Sequence, residues 1–221
     1  MKMNADLPLR SPRAALLSTA YFGPVQWYQK LRRYPVVCID PADIFVKQTY
    51  RNRCVIAATH GVQSLTSPIV HDPGVTLTRD IRISDHGNWR HLHWHALKSA
   101  YGESPFFEFY ADDIAPFFER RWAFLVDFNE AITLKMCELL DIDSPLAADG
   151  GTMRGGVGEQ SDLSMPVDDF REAIRPKHPL PDADFVPRRY YPVFEQKHGF
   201  LPNLSILDLL MNMGNESVLY R

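Results

Sequence analysis

Ala14-Ala15-Leu16-Leu17-Ser18-Thr19-Ala20 is a short apolar run that ends at Tyr21-Phe22-Gly23-Pro24, the pattern of a buried strand breaking into a loop. A helix is expected from Val25 to Arg32. Pro35-Val36-Val37-Cys38-Ile39-Asp40 then reads as a second buried strand closed by Pro41. Two buried strands joined through a helix pair in parallel, so the chain is expected to open as a strand-helix-strand unit. That arrangement puts Tyr21 to Pro24 at the carboxyl end of the first strand, where open α/β sheets keep their ligands.

Thr49 to Ala58, Val62 to Pro68 and Leu77 to Ser84 read as shorter strands, with Thr59-His60-Gly61 as a hairpin turn, and together predict a mixed or antiparallel extension of the sheet. The pattern then changes to a helical period. From Asn88, a suitable N-cap, Trp89, Leu92, His93, Ala96 and Ala100 fall on one face, with His91, His95 and Lys98 on another. His93 is therefore the histidine expected to point inward. A longer helix ending near Leu140 carries Leu125, Phe128, Ile132, Met136 and Leu139 at core spacing. Ser144 to Met165 reads as a mobile surface loop, Pro176 to Pro192 as a proline-punctuated connector, and Asn203 to Gly214 as a short amphipathic helix capped at both ends. The fold class expected is α/β: one domain over residues 14–221, a mixed sheet at the start, a largely helical C-terminal half and a frayed 1–13.

With 221 residues, 45% of them hydrophobic, the chain can bury a substantial core. A formal charge of -3 gives no general attraction to nucleic acid or to an anionic membrane. The three cysteines Cys38, Cys54 and Cys137 lack a Cys-x-x-Cys spacing, which fits a reducing compartment better than a disulfide framework or zinc ribbon. No run reaches membrane-spanning length, and residues 1–13 lack the apolar core of a signal peptide, so a cytoplasmic protein without membrane insertion is expected. Gly150-Gly151 and Gly155-Gly156 lack the strand-to-helix setting of a phosphate loop.

Several blocks, taken in order, resemble one family: Tyr21-Phe22-Gly23-Pro24, Lys47 with Asn52-Arg53, Leu65-Thr66-Ser67-Pro68, and Trp89-Arg90 with His93, Tyr101 and Pro105-Phe106. The chain resembles the WbqC-like family over roughly residues 14 to 220. That family consists of bacterial proteins often encoded among genes for surface polysaccharide biosynthesis. Many relatives begin with His-Gln-Pro-x-Tyr-x-Pro where this chain has Ser18-Thr19-Ala20-Tyr21-Phe22-Gly23-Pro24, so no role of the family histidine carries over. The resemblance implies sugar modification, with an acyl or aminoacyl group attached to an amino sugar. The O-antigen setting implies a small-molecule partner, a nucleotide-sugar or an acyl or aminoacyl carrier. No cofactor is named by these residues, and the oligomeric state is left open.

Within those blocks His93 is the candidate for proton transfer or substrate contact, against the alternative of a hydrogen-bonded core histidine. Tyr101 and Asp40 are its possible partners. Lys47, Arg51 and Arg53 are candidate anion binders, strand alternation placing Arg51 and Arg53 on one face, against the alternative of a solvated strand face. Tyr21, Asn52, Thr66 and Tyr101 complete the expected substrate-binding set. His91 and His95 have the four-residue spacing of two metal ligands but lack a third ligand and a zincin glutamate, so no metal is expected. Cys38 reads as packing rather than as a nucleophile. Asp208, set in an apolar helix, implies an internal salt bridge or a polar pocket wall. The two functions that follow are a transferase and a non-catalytic sugar-nucleotide-binding or accessory protein.

Overall fold

The computed structural model of the chain describes residues 13–143 and 166–220. β1 (Ala14–Ser18), α1 (Val25–Arg33) and β2 (Val36–Asp40) form the expected strand-helix-strand unit, with β1 and β2 parallel from Ala14 opposite Val36 to Ser18 opposite Asp40. Helix α1 starts directly after Pro24 and ends on Lys30, Arg32 and Arg33, cations placed where the helix dipole is negative. Its residues from Val25 to Leu31 are all buried, Trp27 and Tyr28 among them.

The hairpin β3 (Arg53–Ala58) and β4 (Gly61–Thr66) is antiparallel, closed by Thr59-His60 with Gly61 at a φ of +113°. Cys54 and Ile56 on one face of β3, with Leu65 on β4, supply its core contacts. It stands as its own two-stranded sheet rather than extending the first one. The first sheet gains instead a short parallel strand, β5 (Val167–Asp169), on the free side of β1, giving the order β2-β1-β5. Three residues with two acids carry no readable strand signal. The expected strand over Leu77 to Ser84 is also corrected: Thr78–Asp80 is a 3-10 turn, and the flanks make isolated bridges, Leu77 to Ile44, Ile83 to Ile69 and Arg82 to Phe124. The segment's amides are satisfied by four different neighbours, Asp43, Pro41, Ala123 and Pro68, and no single partner strand forms.

The rest is largely helical: α2 (Trp89–Tyr101), α3 (Phe107–Ile114), α4 (Pro116–Glu119), α5 (Leu125–Leu140), α6 (Glu195–His198) and α7 (Ile206–Met213). The buried face of α2 is Trp89, His93, Leu97, Ala100 and Tyr101, whereas Leu92 is 63% exposed. Following i, i+4 and i+8 from Trp89 gives that stripe, and Leu92 lies one position off it. Helix α7 begins at Ser205, whose hydroxyl accepts the Leu207 N–H, and stops at Gly214 with a φ of +52°. Both caps match expectation. Its polar positions Asp208 and Asn212, four apart on one face, are buried with the rest, because Ile206 to Asn212 are all enclosed by α1, α2, α3 and β3. The expected loop over 144–165 lies outside the described residues.

Candidate functional site

The loop leaving β1 is held by three hydrogen bonds from two segments. The Tyr21 N–H donates to the Tyr50 carbonyl at 2.9 Å, the Ser205 hydroxyl donates to the Phe22 carbonyl, and the Ile206 N–H donates to the Gly23 carbonyl. Gly23 is required by space, since an added Cβ would stand 2.9 Å from that of Ala20. Fixed in this way, the Tyr21 ring turns into the core against Phe128, and its phenol oxygen lies 2.8 Å from Nδ1 of His93.

Trp89 meets the His93 ring edge-on at 5.1 Å between centroids, and Phe118 lies on another side. Burial in these aromatic walls lowers the imidazole from 6.5 to about 4. The same desolvation lifts the Tyr21 phenol well above 10, with a smaller contribution from Cys54. The pair is thus a neutral phenol and a neutral imidazole around pH 7. Nδ1 is committed to Tyr21, and Nε2 has no hydrogen-bond partner among the described residues, so Nε2 is the atom left for a further group.

A second polar cluster occupies the carboxyl ends of the parallel strands. β1 ends at Ser18, β2 at Asp40 and β5 at Asp169. Ser18 donates to Asp43 at 2.7 Å, and Arg51 pairs with the same Asp43 oxygen and with Thr49. Arg171 reaches across to Asp40 at 3.1 Å and to Asp169 at 2.8 Å. A cavity of about 10 Å³, room for one water-sized group, lies here between Ser18, Thr49, Arg51 and Arg171, with Trp27 and Phe170 in its wall.

Two of the sequence blocks clip each other. Asn52 donates its amide to the Ser67 carbonyl at 2.9 Å while the Ser67 N–H donates to the Asn52 carbonyl, and Arg53 Nε donates to Thr66 Oγ1 at 3.0 Å. Asn129 of α5 closes the group by donating to the Arg51 carbonyl at 2.7 Å.

Tyr21 and His93 are therefore brought into direct contact, as are Arg53 and Thr66. Arg51 and Arg53 do not share a strand face, because Arg51 lies in the turn before β3 and is turned towards Asp43. Lys47 is exposed in the preceding turn. Neither expected partner of His93 holds it: Asp40 takes Arg171, and Tyr101 donates to Asp208 at 2.9 Å. Asp208 is fully buried and also accepts from Tyr190 at 2.6 Å, so of the two expected settings, a salt bridge or a polar pocket wall, the salt bridge is not the one formed: its partners are two phenols. Burial raises its carboxyl from 3.8 to about 6, against the lowering effect of those two bonds. The exposed His91 and His95 rings stand 4.0 Å apart, and among the described residues no group of three or more His, Cys, Asp or Glu could hold a metal ion. Burial pushes the Cys38 thiol up, the direction opposite to nucleophile activation. Sequence reasoning missed Asp43, Arg171 and Asn129, single polar residues whose partners lie up to 131 positions away.

The sequence matches the WbqC-like protein family over residues 20–164. It is also 27% identical over 188 residues to a protein of Mycobacterium tuberculosis described as uncharacterized, covering 78% of this chain and 81% of that one. No solved structure matches it. No helix among the described residues is long and apolar enough to cross a membrane.

Proposed function

The chain belongs to the WbqC-like protein family, and on that premise we propose that it is an enzyme of bacterial surface polysaccharide or glycoconjugate biosynthesis, transferring an acyl or aminoacyl group to an amino sugar. The observation that carries this reading is the Tyr21–His93 contact at 2.8 Å, a hydrogen-bonded phenol and imidazole at the loop that follows a parallel strand. In the reaction, the sugar nitrogen attacks the carbonyl of an activated donor such as a thioester. The new N–C bond forms, the C–S bond breaks, the thiolate leaves, and the proton of the amine passes to His93 Nε2. In the tautomer this step requires, His93 Nδ1–H donates to the Tyr21 oxygen, which leaves Nε2 unprotonated to take the amine proton. Arg53, positioned by Thr66, and the exposed Lys47 supply positive charge for the phosphate of a nucleotide-sugar or carrier. Arg51 is already paired with Asp43. The reaction is assigned to the cytoplasm and the site to one domain spanning residues 14–221.

A second reading, a non-catalytic sugar-nucleotide-binding protein, is favoured by one specific observation: His93 is only 7% exposed and its basicity is low. A screen of nucleotide-sugars and amino sugars with acyl and aminoacyl thioesters, reading binding and turnover together, separates the two. Turnover supports the transferase; saturable binding without turnover supports the second reading.

A further inference from the structure

The strand-end cluster contains three carboxylates, Asp40, Asp43 and Asp169, and two guanidinium groups, Arg51 and Arg171. The carboxylates therefore exceed their cations by one charge. The two arginines differ in how firmly they are built in. Arg51 has a side chain only 4% exposed and is bound to Asp43 and Thr49. Arg171 is 29% exposed, more than Asp40 and Asp43, whose side chains are 10% and 11% exposed. Without the Arg171 guanidinium the nearly buried Asp40 carboxylate would have no cation, since Arg51 is held by Asp43, and this is costly unless another cation takes the place.

Arg51 supplies an independent indication. Its Nε is buried without a hydrogen-bond acceptor, and Arg51 lines the cavity. A buried charged donor of this kind calls for an oxygen acceptor. The cavity has room for only one water-sized group while Arg171 is in place.

We propose that the Arg171 side chain is a tethered stand-in for a cationic ligand, and that the ends of β1, β2 and β5 form a binding site for a primary ammonium with an oxygen acceptor beside it. Asp40 and Asp169 take the ammonium, and Arg51 Nε donates to the neighbouring oxygen. A 2-amino sugar and an α-amino acid share this chemistry. Thr49 and Ser18 offer further polar contacts, and Trp27 and Phe170 an apolar wall. The site does not depend on the transfer reaction proposed above, because it concerns binding alone and uses neither Tyr21 nor His93.

Arg171→Ala tests it with glucosamine and glycine as probes, and with N-acetylglucosamine and sodium chloride at matched concentration as controls. The variant is expected to unfold at a lower temperature than the native chain and to be restored by an ammonium probe but not by the controls. Titration by calorimetry is expected to show the native chain binding that probe at least tenfold more weakly, because Arg171 competes. Asp40→Asn in the variant should remove the restoration. Restoration by glucosamine alone identifies an amino sugar, and by glycine alone an amino acid. If neither probe binds Arg171→Ala better than N-acetylglucosamine does, the proposal is overturned. Should that variant not fold, Arg171→Gln, which keeps a neutral hydrogen-bonding side chain, replaces it: ammonium binding at least tenfold tighter than the native chain's supports the site, and binding no tighter than the native chain's overturns it.

Discussion

The phenol oxygen of Tyr21 stands 2.8 Å from Nδ1 of His93, and this contact joins the loop after β1 to the buried face of α2 across 72 positions of sequence. Tyr21→Phe keeps the ring against Phe128 and removes only the hydroxyl. It should leave a buried imidazole nitrogen unpaired and cost about 1–2 kcal/mol in urea unfolding. A variant as stable as the native chain would show that the contact contributes nothing to the fold.

His93 and Asp208 pull the pH dependence of stability in opposite directions. The folded-state pKa of His93 is about 4, below its ordinary 6.5, so its contribution is complete above 6.5 and is lost as pH falls towards 4. Asp208 titrates at about 6 instead of 3.8, so its contribution is complete below 3.8 and is lost as pH rises towards 6. Each amounts to about 3 kcal/mol at most. Asp208→Asn should therefore unmask a protein that weakens in acid between pH 6.5 and 4. His93→Gln should do the reverse, weakening as pH rises from 4 to 6. Unfolding midpoints across this range with the same slope in both variants would contradict the assignment.

The Arg51–Asp43 pair is nearly buried, with side chains 4% and 11% exposed. Arg51→Met strands the Asp43 carboxylate and should cost about 3 kcal/mol or more in unfolding free energy. A midpoint unchanged by Arg51→Met would show that the pair contributes nothing to the fold.

Gly214 ends α7 at a φ of +52°, and a Cβ there would lie 2.5 Å from the Phe106 ring. Gly214→Ala combines backbone strain with a clash in the core and should cost about 2–4 kcal/mol by thermal unfolding. Gly61→Ala meets nothing within 4 Å and should show the strain alone. Equal losses would mean that the Phe106 ring yields freely.

Local pattern made part of this structure readable in advance. The apolar runs at Ala14 and Val36 are long enough to mark buried strands, and Trp89 to Tyr101 has a helical period that turns His93 inward. Such signals come from neighbours within a few positions. What was not readable depends on distant ones. Val167–Asp169 is a strand only because β1 offers it a free edge, and Leu77 to Ser84 is not one because its amides are divided among separate neighbours. Arg51 precedes a strand in sequence, yet its direction is set by Asp43, eight positions back in an irregular loop. Tyr21 and His93 were both expected in the site, each on its own motif; that they touch follows from the fold alone.

The central claim is that His93 moves a proton during transfer to an amino sugar, and the rate of His93→Gln tests it most directly. Glutamine can still hydrogen-bond Tyr21 but cannot serve as the base. With a donor and acceptor found by the thioester screen, single-turnover transfer by this variant should fall by about 10²–10⁴ while its unfolding midpoint at pH 7 stays close to native. Transfer at the native rate by a folded His93→Gln protein would contradict the account and leave His93 as a core residue.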